Sequence, residues 1–145
     1  MLPSAPLRLT SRCAHAHLAL GWIQHLYDWD WESGQAEFER ALQANPSFAE
    51  AYHLKGIFLA VRQRVPEAEE AFARALELDP LSQVIRTHTA MVPFFSNDPA
   101  GAELRLQAAI DMDASFAEAH WNLGMVYECQ ERYQTAADTF QKAIQ

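Results

Sequence analysis

The sequence has few basic residues, few loop-forming residues and no long apolar run. Its 11 Lys and Arg against 19 Asp and Glu give a formal net charge of −8. That balance disfavours nucleic acid and anionic membranes as partners, because both are bound through basic surfaces. With 5 Gly and 7 Pro, a loop-rich fold is not expected. No apolar stretch approaches the length of about 18 residues that suggests a membrane span.

The residue types that commonly act in disulfides, metal binding or catalysis do not have the spacing that these functions require. Cys13 and Cys129 do not make a disulfide framework, so a reduced, cytoplasmic setting is expected. The 6 histidines include no His-x3-His pair, and no metal or other cofactor is expected. There is no Gly-rich phosphate loop, Gly-x-Ser-x-Gly elbow or His-Glu-x2-His pair. The sequence therefore predicts a protein that is not an enzyme.

What the sequence does contain is a repeat with a period of 34 residues. The pentapeptide Ser-Phe-Ala-Glu-Ala occurs at 47–51 and at 115–119, an offset of 68, which is twice 34. Three columns of similar residues follow this period. The columns are Phe38, Phe72, Leu106 and Phe140, then Gly34, Ala68, Ala102 and Ala136, and then Ala41, Ala75, Ala109 and Ala143. The columns of Gly and Ala predict that two helices pack closely there, and the column of Phe and Leu is expected to fill the space beside them.

Each repeat is predicted to contain two helices. Apolar residues fall at helical spacing over 49–61 and again over 66–78, and no alternating strand pattern occurs, so the predicted fold is all-α. Pro93 interrupts the third repeat, and a proline inside a helix costs about 3 kcal/mol. The first helix of that repeat is therefore predicted to kink or end near Met91.

Several polar residues are predicted to cap helices. Ser47 with Glu50, and Ser115 with Glu118, have the spacing of a capping box. In that arrangement the Ser side chain accepts an amide of the first turn and the Glu side chain reaches back. Asp98 precedes a proline and is predicted to cap the helix that begins there.

These columns resemble the tetratricopeptide repeat, whose signature is W-x2-L-G-x2-Y, then A-x3-F, then P. The fourth repeat matches it best, through Leu123, Gly124, Tyr127, Ala136, Phe140 and Ala143. In the first repeat Gly21 lies one residue early, so one residue is inserted before the second helix, around residues 28–31. That Asp-Trp-Asp-Trp segment resembles a turn in repeat arrays of bacterial regulators and cyclases. Trp29 and Trp31 are expected to wedge it against the second helix, with a surface recognition feature as the alternative.

The resemblance implies a right-handed α-solenoid of four helix-turn-helix units. The expected units cover residues 12–46, 47–80, 81–114 and 115–145, with the third degenerate and the fourth truncated. Residues 1–11 are expected to be a leader or the remnant of a preceding helix.

The resemblance also implies a concave groove, lined by the first helices, that binds a protein or peptide. The expected groove residues are Leu18, Trp22, His53, Ile57, His88, Met91, Phe95, Trp121, Asn122 and Met125. This set contains no Lys or Arg, whereas family members that grip acidic chaperone tails use basic and Asn side chains. An apolar peptide or helix is therefore the expected ligand, and Glu50, Glu118 and Glu128 are expected to favour one with basic residues. His53 and His88 are expected to face the groove together and to respond to pH.

Three alternatives remain open. The expected groove residues could merely pack between neighbouring first helices. The chain could instead be a regulatory or sensory segment of a larger bacterial signalling or transcription-regulating protein, as the resemblance of its turn suggests. It could also self-assemble, because Phe140 and Ile144 lie near an uncapped end where a homodimer could form.

Overall fold

In the computed structural model, the described residues are 5–28 and 30–144. This part of the chain is helical and contains no strand, which confirms the all-α prediction and the α-solenoid of helix-turn-helix units. The helices are α1 (Ala5–Ile23), a π-helix (Gln24–Asp28), α2 (Trp31–Ala44), α3 (Ala49–Val61), α4 (Val65–Leu78), α5 (Gln83–Ala90), α6 (Val92–Phe95), α7 (Pro99–Met112), α8 (Ala117–Cys129) and α9 (Tyr133–Ile144).

The helices form four units in chain order. The first unit is α1, the π-helix and α2, the second is α3 and α4, the third is α5 to α7, and the fourth is α8 and α9. Buried apolar side chains form two clusters along the array. One is centred on Phe38, Phe58 and Phe72, and the other on Leu106 and Val126. Each unit therefore buries its apolar face against its neighbours, as expected of a solenoid.

The periodic columns correspond to close contacts between the two helices of a unit. A Cβ atom added to Gly56 would lie 2.9 Å from the ring of Phe72. The third unit has Ala90 at the position equivalent to Gly56, and there the smaller Leu106 replaces the phenylalanine. A larger residue at the glycine position is thus accompanied by a smaller residue at the phenylalanine position.

The residue inserted in the first unit coincides with the π-helix Gln24–Asp28. A π-helix closes its hydrogen bonds over one more residue than an α-helix, so it takes up an insertion without breaking the helix. A Cβ atom on Gly21 would lie 3.0 Å from the carbonyl oxygen of Gly34, so α1 and α2 keep their close approach. The predicted insertion is therefore real, and it lies mostly before the Asp-Trp-Asp-Trp segment.

The prediction for the third unit is confirmed. Helix α5 ends at Ala90, Met91 follows as a turn, and α6 begins at Val92 with Pro93 in its first turn. Pro93 cannot donate a backbone hydrogen bond, so the position best suited to it is the start of a new helix.

The capping-box prediction is wrong at both sites. Phe48 and Phe116 occupy the N-cap positions, and neither helix has a side-chain cap. Ser47 and Ser115 lie one residue too early, and their backbone amides donate to Asn45 and Asp113 instead. These contacts are turn-stabilising bonds that compete with capping.

Asp98 does cap α7, as predicted, because its carboxylate accepts the amide of Gly101 at 2.9 Å. At the other end of the chain, α1 begins at Ala5, so the expected boundary between residues 11 and 12 lies within a helix. Residues 1–4 of the expected leader lie outside the described residues.

Candidate functional site

A cavity of about 190 Å³ lies where the second, third and fourth units meet. It is lined by Ile57, Ala60, Phe72, His88, Met91, Phe95, Asn122 and Met125. All but Phe72 belong to α3, the α5–α6 segment or α8, which are the first helices of the three units. Six of the ten expected groove residues are therefore brought together.

The lining of this cavity is mostly apolar. Met91 and Phe72 are buried, while Phe95 and Met125 are partly accessible. The polar groups are the imidazole of His88 and the amide of Asn122, which is 7% exposed. Ligand sites commonly combine an apolar wall with a few polar groups that orient the ligand. No Lys or Arg side chain lines the cavity.

A hydrogen-bonded chain beside the cavity connects the same three units. Nε2 of His53 lies 2.6 Å from Nδ1 of His88, and Nε2 of His88 lies 2.9 Å from a carboxylate oxygen of Glu118. When Glu118 is ionised it accepts a hydrogen bond from the Nε2–H group of His88, which leaves Nδ1 of a neutral His88 to accept a hydrogen bond from the Nε2–H group of His53. The chain thereby holds the groove helices α3, α5 and α8 in fixed relation.

His53 is neutral at physiological pH. Burial, and then the positive charge that His88 can carry, lower the pKa of His53 to about 4. Burial acts in this direction because the charged imidazolium loses its hydration. His53 and His88 do lie together, as expected, but His53 titrates well below the usual histidine range.

The other four expected groove residues lie outside the cavity. Leu18 and His53 are buried, and Trp22 packs against the buried cluster of the first two units. These three side chains agree with the alternative in which groove positions pack between helices. Trp121 is 50% exposed and its ring lies 4.9 Å from that of Phe140.

Position in the array explains this difference. Leu18, His53, Thr87 and Trp121 occupy equivalent places in the four first helices. The first three are at most 8% exposed, and each has a following unit beside it. Trp121 belongs to the last described unit, where no further described unit covers it.

Two cavity residues are not among the ten expected groove residues: Ala60 lies on a first helix, as the others do, whereas Phe72 lies on the second helix α4. The column of Phe72 was interpreted only as packing between the two helices of a unit. The available signal was Gly56, which has no side chain to cover the ring. Of the acidic residues expected to favour a basic ligand, Glu50 and Glu128 are exposed and Glu118 is partly exposed.

Among the described residues, no group of three or more His, Cys, Asp or Glu side chains is placed to hold a metal ion. None of the described helices is both long and apolar enough to cross a membrane. The cytoplasmic setting and the exclusion of nucleic acid stay predictions.

Comparison with known families decides the fold family. A family model for the tetratricopeptide repeat matches residues 25–82 and 94–145, well over half of the chain. The chain belongs to the tetratricopeptide-repeat family. Members of this family are generally non-catalytic modules for protein interaction. The resemblance of the turn at 28–31 to bacterial arrays stays a prediction, and Trp29 itself lies outside the described residues.

The chain is similar to one curated protein and to several solved structures. Protein NPGR2 of Arabidopsis thaliana is 28% identical over 120 residues, which is 79% of this chain but 16% of that relative's length. PilF of Pseudomonas aeruginosa is 19% identical, with a TM-score of 0.69 over 90% of this chain and 60% of that one. YrrB, described as a TPR protein with an unusual peptide-binding site, is 20% identical, with a TM-score of 0.62 over 97% of this chain and 73% of that one.

Proposed function

We propose that this tetratricopeptide-repeat chain is a non-catalytic module that binds an apolar peptide segment or helix in its concave groove. The observation that carries the proposal is the cavity between three successive units, which six of the ten expected groove residues line. Its Met and Phe side chains suit the apolar face of a ligand helix, because thioethers adapt to different shapes.

The polar groups suggest how the ligand is oriented. Asn122 can both donate and accept a hydrogen bond, as a peptide backbone requires. Glu118 borders the groove and, with a chain charge of −8, favours basic ligand residues over acidic ones. The similarity to YrrB supports peptide binding only as an analogy at the level of the fold.

The test uses two fluorescein-labelled amphipathic peptides, one built of Leu and Lys and the other of Leu and Glu in the same pattern. Met125→Lys places a charge in the cavity, whereas Leu104→Lys places the same charge at a residue 74% exposed on α7. Both variants raise the net charge equally, so a general electrostatic effect cancels between them.

The proposal expects the Leu/Lys peptide to bind more tightly than the Leu/Glu peptide in fluorescence anisotropy. Met125→Lys should weaken that binding at least tenfold, or about 1.4 kcal/mol, relative to Leu104→Lys. Circular dichroism at the assay temperature checks that both variants are folded. Equal affinity of the two variants would reject the groove as the binding site.

A second candidate function, self-assembly through the fourth unit, is supported by the exposure of its apolar residues. Ile144 is 79% exposed, Tyr133 64% and Trp121 50%, while Phe140 is partly covered by Trp121. Exposed apolar groups on one unit favour association. Sedimentation velocity over a concentration series should show a dimer that Ile144→Lys weakens and that Leu81→Lys, at an equally exposed site, leaves intact.

A further inference from the structure

A second cavity, of about 330 Å³, lies between α4, α5 and α7 and shares no residue with the groove cavity. Helix α5 separates the two, because His88 lines the groove cavity while Arg86 and Thr89 line this one. The apolar part of its wall consists of Leu76, Ala90, Ala108, Ala109 and Met112. Two arginines, Arg86 and Arg105, also line it, and no acidic residue does.

The equivalent place in the second unit is different in charge. Moving back by one period of 34 residues, Arg86 and Arg105 correspond to Tyr52 and Ala71. Both of these line a cavity that also contains Lys55, Arg74 and the three glutamates Glu67, Glu70 and Glu77. That cavity has more acidic than basic groups. The excess of basic over acidic lining residues therefore distinguishes this cavity from its counterpart in the second unit, in a chain whose net charge is −8.

Both arginines are anchored and still have donors to spare. A terminal nitrogen of Arg86 donates to the carbonyl oxygen of Pro80 at 2.7 Å, and one of Arg105 donates to Glu69 at 2.6 Å. A guanidinium group has five N–H donors, so most remain available on each. The Nε atom of Arg86 is buried and has no hydrogen-bond partner among the described residues. A buried donor of this kind is costly unless an acceptor reaches it.

We propose that this cavity binds a small molecule that has an apolar body and one carboxylate, such as a medium-chain aliphatic acid. Arginine suits the carboxylate because its planar donors match the two oxygens. The apolar wall suits the hydrocarbon part, and the volume lies in the range of small-molecule pockets. The proposal does not depend on what binds in the groove.

The probe is octanoate, with octan-1-ol as the ligand that keeps the hydrocarbon and lacks the charge. Titration of the ¹⁵N-labelled chain, followed by NMR, measures both the affinity and the amides that shift. Octanoate should shift the amides around Arg86, Thr89 and Ala108, and octan-1-ol should bind at least tenfold more weakly.

Variants then separate a specific site from general attraction. Arg86→Gln and Arg105→Gln should each weaken octanoate binding about tenfold. Arg105 is 45% exposed, so Arg105→Gln should leave the fold intact even if Arg86→Gln disrupts it. The matched control is Arg74→Gln, which removes an ion-paired arginine from the second-unit cavity and should have no effect.

Three results would overturn the proposal. The first is equal binding of octanoate and octan-1-ol. The second is an equal loss of binding in Arg74→Gln and Arg105→Gln. The third is tighter binding of a short peptide that ends in leucine. If this peptide binds tenfold more tightly than octanoate, and does so only when its C-terminal carboxylate is free, the cavity binds a chain terminus rather than a small molecule.

Discussion

Nε2 of His53 and Nδ1 of His88 lie 2.6 Å apart, with their rings inclined by only 15°. Two positive imidazolium groups cannot hold this contact, because each would then present a proton to the other. The contact therefore requires at least one of the two imidazoles to be neutral, and burial together with the charge that His88 can carry lowers the pKa of His53 and favours its neutral form. The junction of the second and third units is consequently sensitive to protonation.

The first prediction concerns stability against pH. The pKa of His53 is about 4 in the folded chain and near its ordinary value of 6.5 in the unfolded chain. Between these values the unfolded state binds more protons, so stability falls as the pH falls from about 6.5 to about 4. The loss attributable to His53 should be roughly 3 kcal/mol.

Urea unfolding of the wild type and of His53→Gln at pH 7.5 and pH 4.5 measures this contribution. Burial and Arg62 also lower the pKa of His25, so only the difference between wild type and variant isolates His53. The variant should lose less stability than the wild type between the two pH values. Equal losses would mean that His53 is not held in its neutral form.

The second prediction tests the compensation between Gly56 and Phe72. Alanine favours a helix over glycine by about 1 kcal/mol, but the new Cβ atom would lie 2.9 Å from the Phe72 ring. The ring is buried and cannot move away, so Gly56→Ala should destabilise the chain by about 1 to 3 kcal/mol.

The double variant Gly56→Ala/Phe72→Leu reproduces the pair Ala90 and Leu106 of the third unit. It should be more stable than the sum of the two single changes implies, by about 1 kcal/mol or more. Thermal and urea unfolding of all four chains measure this coupling. Strict additivity would show that the two positions do not constrain each other.

The third prediction compares a real cap with a false one. Asp98→Ala removes the side chain that accepts the Gly101 amide and should cost about 1 kcal/mol. Ser47→Ala should cost only a few tenths of a kcal/mol, because Phe48 rather than Ser47 is the N-cap of α3. Urea midpoints of the two variants decide between them, and a larger cost for Ser47→Ala would contradict the helix start at Ala49.

The caps also show how far sequence reasoning reaches. The period of 34 residues and the columns through Phe72 and Leu106 were enough to predict the fold, because each column is a contact repeated in every unit. The capping boxes failed because the spacing of Ser47 and Glu50 is satisfied one residue before the true helix start. The side chain of Asn45 accepts a hydrogen bond from the Ser47 amide in an Asx turn. A two-residue pattern does not reveal this hydrogen bond, which competes with capping.

The candidate site was predicted in part for a similar reason. The resemblance to the tetratricopeptide repeat predicts Ile57, Met91 and Met125, because the inward-facing positions of the family recur in each unit. Leu18 and Trp121 show the limit, since their exposure depends on whether a following unit covers them. The repeat pattern does not predict the cavity beside Arg86. Its two arginines, Arg86 and Arg105, occur in the third unit and are not repeated at the equivalent positions of the second, so they form no column.

The last prediction concerns Glu37, a carboxylate that is 5% exposed within the first unit. It accepts hydrogen bonds from His17, at 2.5 Å, and from Arg40. Burial alone would raise the pKa of Glu37, but these hydrogen bonds and the charge of Arg40 outweigh burial and lower it. A lowered carboxylate pKa means that the ionised form stabilises the folded chain. This contribution is present above the unfolded pKa of 4.5 and is lost as the pH falls through the folded value.

Glu37→Gln should therefore destabilise the chain at pH 7. The cost should be limited to about 1 to 2 kcal/mol, because Arg40 and His17 are exposed enough to be rehydrated when the carboxylate is removed. The difference between wild type and variant should shrink as the pH is lowered below 4.5. Glu39→Gln, at an exposed site two residues from Glu37 on α2, serves as the matched control and should change stability little over the same pH range. A pH-independent cost for Glu37→Gln would indicate that the side chain acts through its shape rather than its charge.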